Sequence, residues 1–242
     1  DRTSRGLGDV YKRQILTPVE RPLGQPDGKR FFPTWTFGSG KFNSGNLGKP
    51  WEMTKKEARN LINKHFNNLS KKEKKNLDSR ILKNFLEFVD ISKCKKIGSY
   101  FSLFNEANTD HINDFLTKTG IQIFLPKIPE EKDAKKLSFF RYIKKDKLTK
   151  NRFGIFEPSK NENPSDINDL DLILVPFRAV NKNLYRLGYG GGFYDCSLSG
   201  INSNKCLGLG YDFQILDEFD IEPHDFKLGK LITPEGYFKN AL

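Results

Sequence analysis

One ten-residue stretch, Arg186 to Asp195, reads RLGYGGGFYD and places four glycines between an arginine and an aspartate. Glycine has no Cβ and tolerates positive φ, so successive glycines let backbone N–H groups turn inward around an anion. Arginine can add a bidentate contact to phosphate oxygens, and aspartate is a hard oxygen ligand of the kind that Mg²⁺ prefers. This stretch, called the glycine loop below, therefore predicts a site for a magnesium nucleotide.

The glycine loop matches neither of two general phosphate-binding patterns. Phe193 stands where a GxGxxG motif requires its last glycine, and the stretch has no lysine followed by serine or threonine, as a Walker A loop would need. On glycine content alone, a mobile hairpin turn explains the stretch equally well. The nucleotide interpretation therefore depends on the elements that flank the loop.

Helices and short apolar runs surround the glycine loop in the sequence. Thr54 and Ser70 are each followed three residues later by a glutamate, which is the spacing of a capping box and predicts the start of a helix. A third helix is predicted within residues 108–120 and closed by Gly120. Strands are predicted from the apolar runs 96–103, 121–126, 137–143, 170–177 and 205–212.

The run 170–177, LDLILVPF, is almost continuously apolar, as expected for a parallel strand covered on both faces. Strands that alternate with helices predict an α/β fold, with a mostly parallel sheet sandwiched between helices in a Rossmann-like three-layer arrangement. Ligands of such sheets bind beyond the carboxyl ends of the strands. The glycine loop follows this run closely, so its position makes it a candidate site.

Residues 1–50 differ in composition from the rest of the chain. They hold eight of the twenty glycines, show no sustained helical or strand period, and begin without a methionine. We therefore predict an extended or disordered extension, derived from tag or read-through sequence, ahead of one α/β domain over residues 51–242. The alternative is a docking arm that uses the aromatic residues Phe31, Phe32, Trp35 and Phe37.

The charge and composition of the chain argue against several classes of protein function. The net charge of +11 would suit a nucleic-acid partner, but residues 1–50 alone contribute +5 and the rest of the chain interleaves acidic with basic side chains. Three cysteines form neither a CxxC pair nor an even set, so we expect neither disulfides nor a zinc site. No apolar run approaches the roughly 18 to 20 residues of a membrane span. We expect a monomeric, cytoplasmic protein that acts on a small molecule, without nucleic-acid or membrane partners.

The stretch LDLILVPFRAVNKNLYRLGYGGGFYD, residues 170–195, resembles the signature of the 5-formyltetrahydrofolate cyclo-ligases, also called 5,10-methenyltetrahydrofolate synthetases. Further fragments occur in the order of that family, from Lys55 to an expected last helix and tail. These fragments are YFSLFNEANT, FLP, FGIFEP, GLGYDFQ and EPHDFKLGKLIT. Only the glycine loop is specific for the family by itself. The whole set of fragments in this order is also specific for the family.

The resemblance implies an enzyme that converts 5-formyltetrahydrofolate to 5,10-methenyltetrahydrofolate with ATP and Mg²⁺. The N5-formyl group is an amide, and its oxygen is a poor leaving group when N10 attacks the formyl carbon. Transfer of the γ-phosphoryl group to that oxygen makes it a good leaving group. The contribution of the protein would then be positioning and charge neutralisation.

The resemblance also implies roles for individual residues. For ATP it implies Lys55, Arg59, Arg186, Leu187, Gly188, Tyr189, Gly190, Gly191, Gly192, Phe193 and Tyr194. For the folate it implies Phe101 as an apolar wall, Glu106 as an acceptor of pterin N–H bonds, and the loop residues Tyr189, Gly190, Gly191, Gly192 and Phe193. Asp195 and Asp225 would bind Mg²⁺, and Arg186 and Asp195 would be catalytic. Without the resemblance, the cations would be a solvated helix face and the carboxylates surface groups.

Four positions depart from the family pattern. They are Asn181 for an aspartate, Leu184 for a frequent glycine, Phe193 for a tyrosine, and Cys196 for a frequent arginine. Because Arg186, Gly190, Gly192 and Asp195 are all retained, we expect activity to survive. The fragment FGIFEP, with Glu157, is interpreted as a turn without a catalytic role.

Two other functions remain open from the sequence. The departures and the net charge suit a non-catalytic module that binds RNA or a protein through a basic surface. The glycine loop would also suit an unrelated phosphotransferase that uses the same grip on another acceptor.

Overall fold

The computed structural model describes residues 53–143, 148–159 and 163–239. The prediction for residues 1–50, including the aromatic docking arm, falls outside these ranges. Within them, no helix combines the length and the apolar character needed to cross a membrane.

Helices α1, Lys55–Asn68, and α2, Lys71–Phe88, begin where the capping boxes predict. Thr54 and Ser70 each accept a hydrogen bond from the backbone N–H of the glutamate three residues on, and that glutamate accepts one from the cap backbone. These reciprocal bonds satisfy N–H groups that lack partners in the first turn of a helix. Ile62 and Ile81 are fully buried, so each helix packs one face on the core.

A seven-stranded sheet lies between the helices and a second layer. Its five central strands are parallel and an antiparallel strand closes each edge, which confirms the prediction of a mostly parallel sheet. In sheet order the strands are β12 Gly236–Lys239, β11 Lys230–Thr233, β9 Cys206–Leu209, β6 Leu172–Val175, β1 Lys96–Gly98, β2 Gln122–Lys127 and β3 Ser138–Tyr142.

Strand β6 is buried along its whole length because both faces of the sheet are covered. Leu172 and Leu174 belong to the apolar cluster that includes α1, α2 and α3, Asp110–Lys118. Ile173 and Val175 belong to the opposite cluster, because side chains alternate along a strand. The short helix α4, Phe193–Leu198, and several connecting segments cover that second face. The three-layer prediction is confirmed.

Two small sheets complete the described fold, and the sequence analysis predicts neither. β7, Ala179–Asn181, pairs with β8, Arg186–Leu187, and with β10, Ile215–Leu216. β4, Leu148–Lys150, pairs with β5, Phe156–Pro158. Strands of two or three residues are too short to show a period in the sequence, and pairing within the folded chain defines them.

One predicted strand is shorter than expected, and one predicted helix is wrong. The strand expected over residues 96–103 ends at Gly98, after which the chain forms a loop toward α3. The expected last helix is instead the antiparallel hairpin of β11 and β12. A turn at Pro234 and Glu235 separates two short runs of apolar and aromatic residues, a pattern typical of hairpins.

Candidate functional site

Three segments meet at the carboxyl edge of the parallel sheet. Residues 99–109 follow β1, residues 176–178 follow β6, and the glycine loop begins with β8. Arg178 donates to the main-chain oxygen of Asn105 over 3.3 Å, and its guanidinium carbon lies 5.0 Å from the ring centre of Tyr189. These contacts join all three segments, so the glycine loop lies at the edge of the sheet where the sequence predicts it.

The backbone of the glycine loop depends on its glycines. Gly190 and Gly192 have φ values of +106° and +69°, in the region that side chains with a Cβ rarely adopt. A Cβ at Gly188 would lie 3.1 Å from Nη1 of Arg186, so this glycine allows the guanidinium to pass close to the backbone. Tyr189 and Gly191 are exposed on the loop. The loop therefore leaves its backbone open between β8 and α4.

Arg186 is buried, with only 3% of its side chain exposed. Nη2 lies 2.9 Å from Oδ2 of Asp195, Nη1 donates to the main-chain oxygen of Pro176 over 3.3 Å, and the guanidinium lies 5.4 Å from the ring centre of Tyr194. Burial lowers the pKa of Arg186, and the nearby Asp195 carboxylate opposes that shift. The family resemblance implies that Arg186 binds phosphate and Asp195 binds Mg²⁺, whereas in this structure the two bind each other.

Two buried polar atoms at this ion pair find no hydrogen-bond partner among the residues that the structure describes. They are Nε of Arg186 and the hydroxyl of Tyr194. Buried polar atoms are nearly always hydrogen-bonded in folded proteins, so such atoms mark places where a ligand or water is needed. Leu187, the neighbour of Arg186 in β8, has its side chain buried in the apolar core. Its predicted contact with ATP is therefore limited to its backbone.

Helix α1 brings its two predicted cations to the glycine loop and to the segment around Asp225. Nε of Arg59 donates to the main-chain oxygen of Gly188 over 2.9 Å. Nζ of Lys55 lies 2.7 Å from Asp225 and also contacts Glu222. Burial lowers the pKa of Lys55, but hydrogen bonds to both carboxylates outweigh this and the net shift is upward. The two cations share one helix face, as their spacing of four predicts.

The carboxylates assigned to a metal are close in the fold but have protein partners. Oδ1 of Asp195 accepts from the N–H of Phe226 over 3.3 Å, and Asp225 accepts from the N–H of Glu222 over 2.7 Å. Glu222, His224 and Asp225 have ligand atoms within 4.8 Å of one another, and Asp195 is not part of this group within the described ranges. Carboxylate oxygens are ligands that Mg²⁺ prefers, so the donor chemistry fits that ion.

Glu106 is a buried carboxylate on the loop that follows β1, and 6% of the residue is exposed. Oε2 accepts from the N–H of Leu103 over 2.7 Å. Burial raises the pKa of Glu106, although hydrogen bonds from Leu103 and Tyr189 and the charges of Arg178 and Lys74 act in the other direction. A carboxylate with so few donors and so little water can gain much from a ligand that supplies N–H groups.

Arg178 is a site residue that the sequence analysis misses. It is 2% exposed, donates to Oδ1 of Asn63, and its guanidinium carbon lies 5.4 Å from the ring centre of Phe66. It therefore ties α1 to the loop that carries Glu106 and to Tyr189. Its position in the sequence could have identified it, because a charged residue that closely follows a fully buried parallel strand lies at the ligand-binding edge of the sheet.

The predicted aromatic residues contact the β4–β5 hairpin. The ring centres of Phe101 and Phe156 are 5.5 Å apart, and those of Phe193 and Phe153 are 6.3 Å apart, both edge to face. Glu157 anchors this hairpin, since it is 5% exposed and lies 2.7 Å from Nζ of Lys127 on β2. The fragment FGIFEP is therefore the end of a hairpin that borders the site, and its glutamate has a structural partner.

Three of the four departures have a local explanation. Oδ1 of Asn181 accepts from the N–H groups of Asn183 and Tyr185, each over 3.0 Å, so the amide holds the turn between β7 and β8 without a charge. Leu184 has a φ of +64°, the conformation in which glycine is favoured, and its side chain is buried. Cys196 is exposed. Nothing in the structure explains phenylalanine rather than tyrosine at position 193.

Comparison with known proteins gives a consistent result. A family model described as the 5-formyltetrahydrofolate cyclo-ligase family matches residues 52–234. A Haemophilus influenzae protein named 5-formyltetrahydrofolate cyclo-ligase is 30% identical over 183 residues, which cover 74% of this chain and 97% of that protein. A Mycoplasma pneumoniae protein of the same name is 31% identical over 170 residues, which cover 69% and 90%.

Two solved structures are similar to this one. A 5,10-methenyltetrahydrofolate synthetase from Mycoplasma pneumoniae has a TM-score of 0.61 and 27% identity, with coverage of 75% of this chain and 99% of that chain. A 5,10-methenyltetrahydrofolate synthetase from Aquifex aeolicus has a TM-score of 0.67 and 26% identity, with coverage of 78% and 94%. The residues matched by the family model include every predicted site residue, from Lys55 to Asp225.

Proposed function

Because the chain belongs to the 5-formyltetrahydrofolate cyclo-ligase family, we propose that it converts 5-formyltetrahydrofolate to 5,10-methenyltetrahydrofolate, with ATP converted to ADP and phosphate and Mg²⁺ as the metal cofactor. The observation that carries the proposal is the convergence of α1, the glycine loop and the Glu106 loop at one edge of the sheet. Cations and open backbone on one side suit a triphosphate, and a buried carboxylate on the other suits a pterin.

The chemistry requires activation of a poor leaving group. ATP supplies the γ-phosphoryl group, which forms a bond to the formyl oxygen as its bond to ADP breaks. N10 then attacks the formyl carbon, the carbon–oxygen bond breaks to release phosphate, and N10 loses its proton. In this scheme the protein holds the formyl oxygen in line with the phosphoryl group and neutralises charge, without a covalent intermediate of its own.

The phosphate side of the site would use Arg59, Lys55 and the glycine loop. Arg59 is already fixed near the loop by its bond to Gly188, so its remaining guanidinium N–H groups are preorganised for a phosphate oxygen. Lys55 is held by two carboxylates, and nucleotide phosphates would compete with them for its ammonium group. Arg186 would hold the glycine loop in place through its ion pair with Asp195 and would add positive charge near the phosphates. Its Nε, which has no partner among the described residues, would be available to a ligand or water.

Asp225 and Asp195 would hold Mg²⁺, with Glu222 close enough to assist. The ion would supply charge neutralisation on the phosphate oxygens. Each carboxylate would give up part of its present pairing, Asp225 with Lys55 and Asp195 with Arg186. Metal binding would thereby release both cations toward phosphate, which couples the two halves of the site.

Glu106 would accept two parallel N–H bonds from the pterin ring, and Phe101 would give an apolar wall beside it. Burial raises the pKa of Glu106 by disfavouring the charged carboxylate, and two ligand N–H donors would favour that charged form. Tyr189 lies above the same loop, with its hydroxyl 3.3 Å from Oδ1 of Asn105, so it would close the folate pocket from the glycine loop.

The test is a coupled assay with matched variants. Protein is mixed with 5-formyltetrahydrofolate and MgATP, and the absorbance of the methenyl product and the release of ADP are followed together. We expect one ADP for each product, and Lys55→Gln should lower kcat/KM for ATP by about 10- to 100-fold, the equivalent of about 1.5–3 kcal/mol for a charge-assisted bond. Lys56→Gln, an exposed neighbour on α1, is the control.

Absence of any product from the wild-type protein, or equal activity of the two lysine variants, would contradict the proposal. Salt-dependent retention of RNA without folate-dependent ATP consumption would favour the non-catalytic module instead. Turnover of ATP with another acceptor but not with the folate would favour the unrelated phosphotransferase. Action as a cytoplasmic monomer, without nucleic-acid or membrane partners, stays part of the proposal, and sedimentation at assay concentration checks the oligomeric state.

A further inference from the structure

A cavity of about 360 Å³ opens beside the site, between the first turns of α2 and the loop that follows β1. Its lining includes three lysines and a histidine, namely Lys71, Lys74, Lys75 and His111, against a single carboxylate, Asp78. The glycine loop does not contribute to it. None of the predicted site residues lines this cavity, so it is a separate feature of the molecule.

The one carboxylate of the cavity is fully engaged by other groups. Oδ2 of Asp78 lies 2.9 Å from Nζ of Lys74, and Oδ1 accepts from the N–H of Asn108 over 3.0 Å and from the hydroxyl of Tyr211 over 2.6 Å. Asp78 therefore neutralises the buried Lys74 and leaves the other cations uncompensated.

Lys71 and Lys75 are exposed and lie one helical turn apart at the mouth of the cavity. Among the residues that the structure describes, no carboxylate lies within ion-pair distance of either lysine. The charge comes from the two lysines and not from the first turn of α2, because Ser70 and Glu73 already cap the N–H groups of that turn. The cavity is therefore a concave region with unneutralised positive charge, which suits a ligand with more than one negative group.

The cavity and the Glu106 pocket share a wall. Leu103 lines the cavity, and its N–H donates to the carboxylate of Glu106. The hydroxyl of Tyr211 lies between Asp78 and the main-chain oxygen of Glu106, 3.2 Å from the latter. Phe104 stands on the same loop and is 56% exposed, with its ring centre 6.0 Å from Nζ of Lys74. The loop that carries Leu103 and Phe104 therefore separates the Glu106 carboxylate from the lysine-lined cavity.

We propose that this cavity binds the carboxylates at the glutamyl end of the folate substrate, with the exposed ring of Phe104 as the surface under the aminobenzoyl group. The inference rests on the proposed function. A reduced folate carries its pterin at one end and an aminobenzoyl-glutamate at the other, so it presents two carboxylates, and each added γ-linked glutamate presents one more. Lys71 and Lys75, with His111 beside them, form ion pairs with these groups. The site is thus a specificity determinant for the length of the glutamyl tail.

The kinetic test compares Lys71→Gln/Lys75→Gln with Lys72→Gln/Lys83→Gln. The control removes the same charge from the same helix at two exposed positions that do not line the cavity. We expect the first pair to raise KM for 5-formyltetrahydrofolate triglutamate by about three- to tenfold, as two exposed ion pairs would, with kcat and the KM for ATP unchanged. The effect should be smaller with the monoglutamate. The control pair should leave all of these constants unchanged.

A binding experiment separates this inference from the proposed function. Calorimetric titration with p-aminobenzoyl-triglutamate needs no turnover, and we expect binding to the wild type and the control that weakens in Lys71→Gln/Lys75→Gln. Absence of methenyl product with intact binding would overturn the proposed function and leave the carboxylate site standing. Equal KM and equal binding in both double variants would overturn the site, and so would inorganic phosphate that binds there as tightly as the triglutamate.

Discussion

The buried pair of Arg186 and Asp195 leads to a prediction about Asp195→Asn. The substitution keeps the shape of the side chain and one oxygen but removes the charge that faces a guanidinium exposed to only 3%. Loss of one partner from a buried ion pair typically costs about 3–5 kcal/mol, because the remaining charge is left in a poorly solvated place. Arg186 keeps its bond to Pro176 and its contact with Tyr194, and Asp195 is 13% exposed, so we expect the lower end, about 3 kcal/mol.

The assay is urea unfolding, with the free energy taken from the midpoint and the slope. We expect the midpoint to fall and the slope to stay constant. Asp217→Asn is the control, because Asp217 pairs with Lys182 at 2.7 Å but the two side chains are 83% and 55% exposed. Such surface pairs contribute about 0–1 kcal/mol. If Asp195→Asn destabilises the protein no more than Asp217→Asn does, then the Arg186–Asp195 pair does not anchor the glycine loop and our reading of it is refuted.

Three further variants test other parts of the site. Burial raises the pKa of Glu106, so the folded state binds that proton more tightly than the unfolded chain does, and stability falls as pH rises from the unfolded pKa near 4.5 through the folded pKa. Glu106→Gln should therefore raise the melting temperature above that of the wild type at pH 8 but not at pH 4, while it raises KM for the folate. Equal melting temperatures at pH 8 would contradict this. Asn181→Ala removes the acceptor of two N–H groups and should cost about 1–2 kcal/mol in urea unfolding, and an unchanged midpoint would be inconsistent with its role in the turn. Leu184→Gly relieves a positive φ worth about 1 kcal/mol but loses a buried side chain worth about 2–3 kcal/mol, so calorimetry should show a net loss of stability rather than a gain.

The parts of the fold that the sequence predicts are those set by local rules. Capping at Thr54 and Ser70 depends on residues three apart, and the continuous apolar run of β6 follows from burial on both faces. The missed strands β7, β8 and β10 are only two or three residues long, so no period exists to detect. The hairpin at residues 230–239 differs from the expected helix because the Pro-Glu-Gly turn lets two short apolar runs pair with each other.

In the candidate site too, the sequence predicts the local features but not the contacts between distant residues. The glycine loop is visible in the sequence because its chemistry is contiguous, and its position follows from the parallel sheet. Which groups pair with its charges is not visible, since Lys55 with Asp225 and Arg59 with Gly188 join residues more than a hundred positions apart. Arg178 was missed for the same reason, because its aromatic and amide contacts come from α1 and from two loops.

Hydrogen exchange of the glycine loop tests the central claim most directly. Nucleotide phosphates held by backbone N–H groups would slow the exchange of those amides. With MgATP present, we predict slower exchange in a peptide over residues 186–195 and unchanged exchange in one over the hairpin 230–239. Saturating nucleotide that leaves the 186–195 peptide unprotected, while it protects another region, would contradict the assignment of the glycine loop to the phosphates.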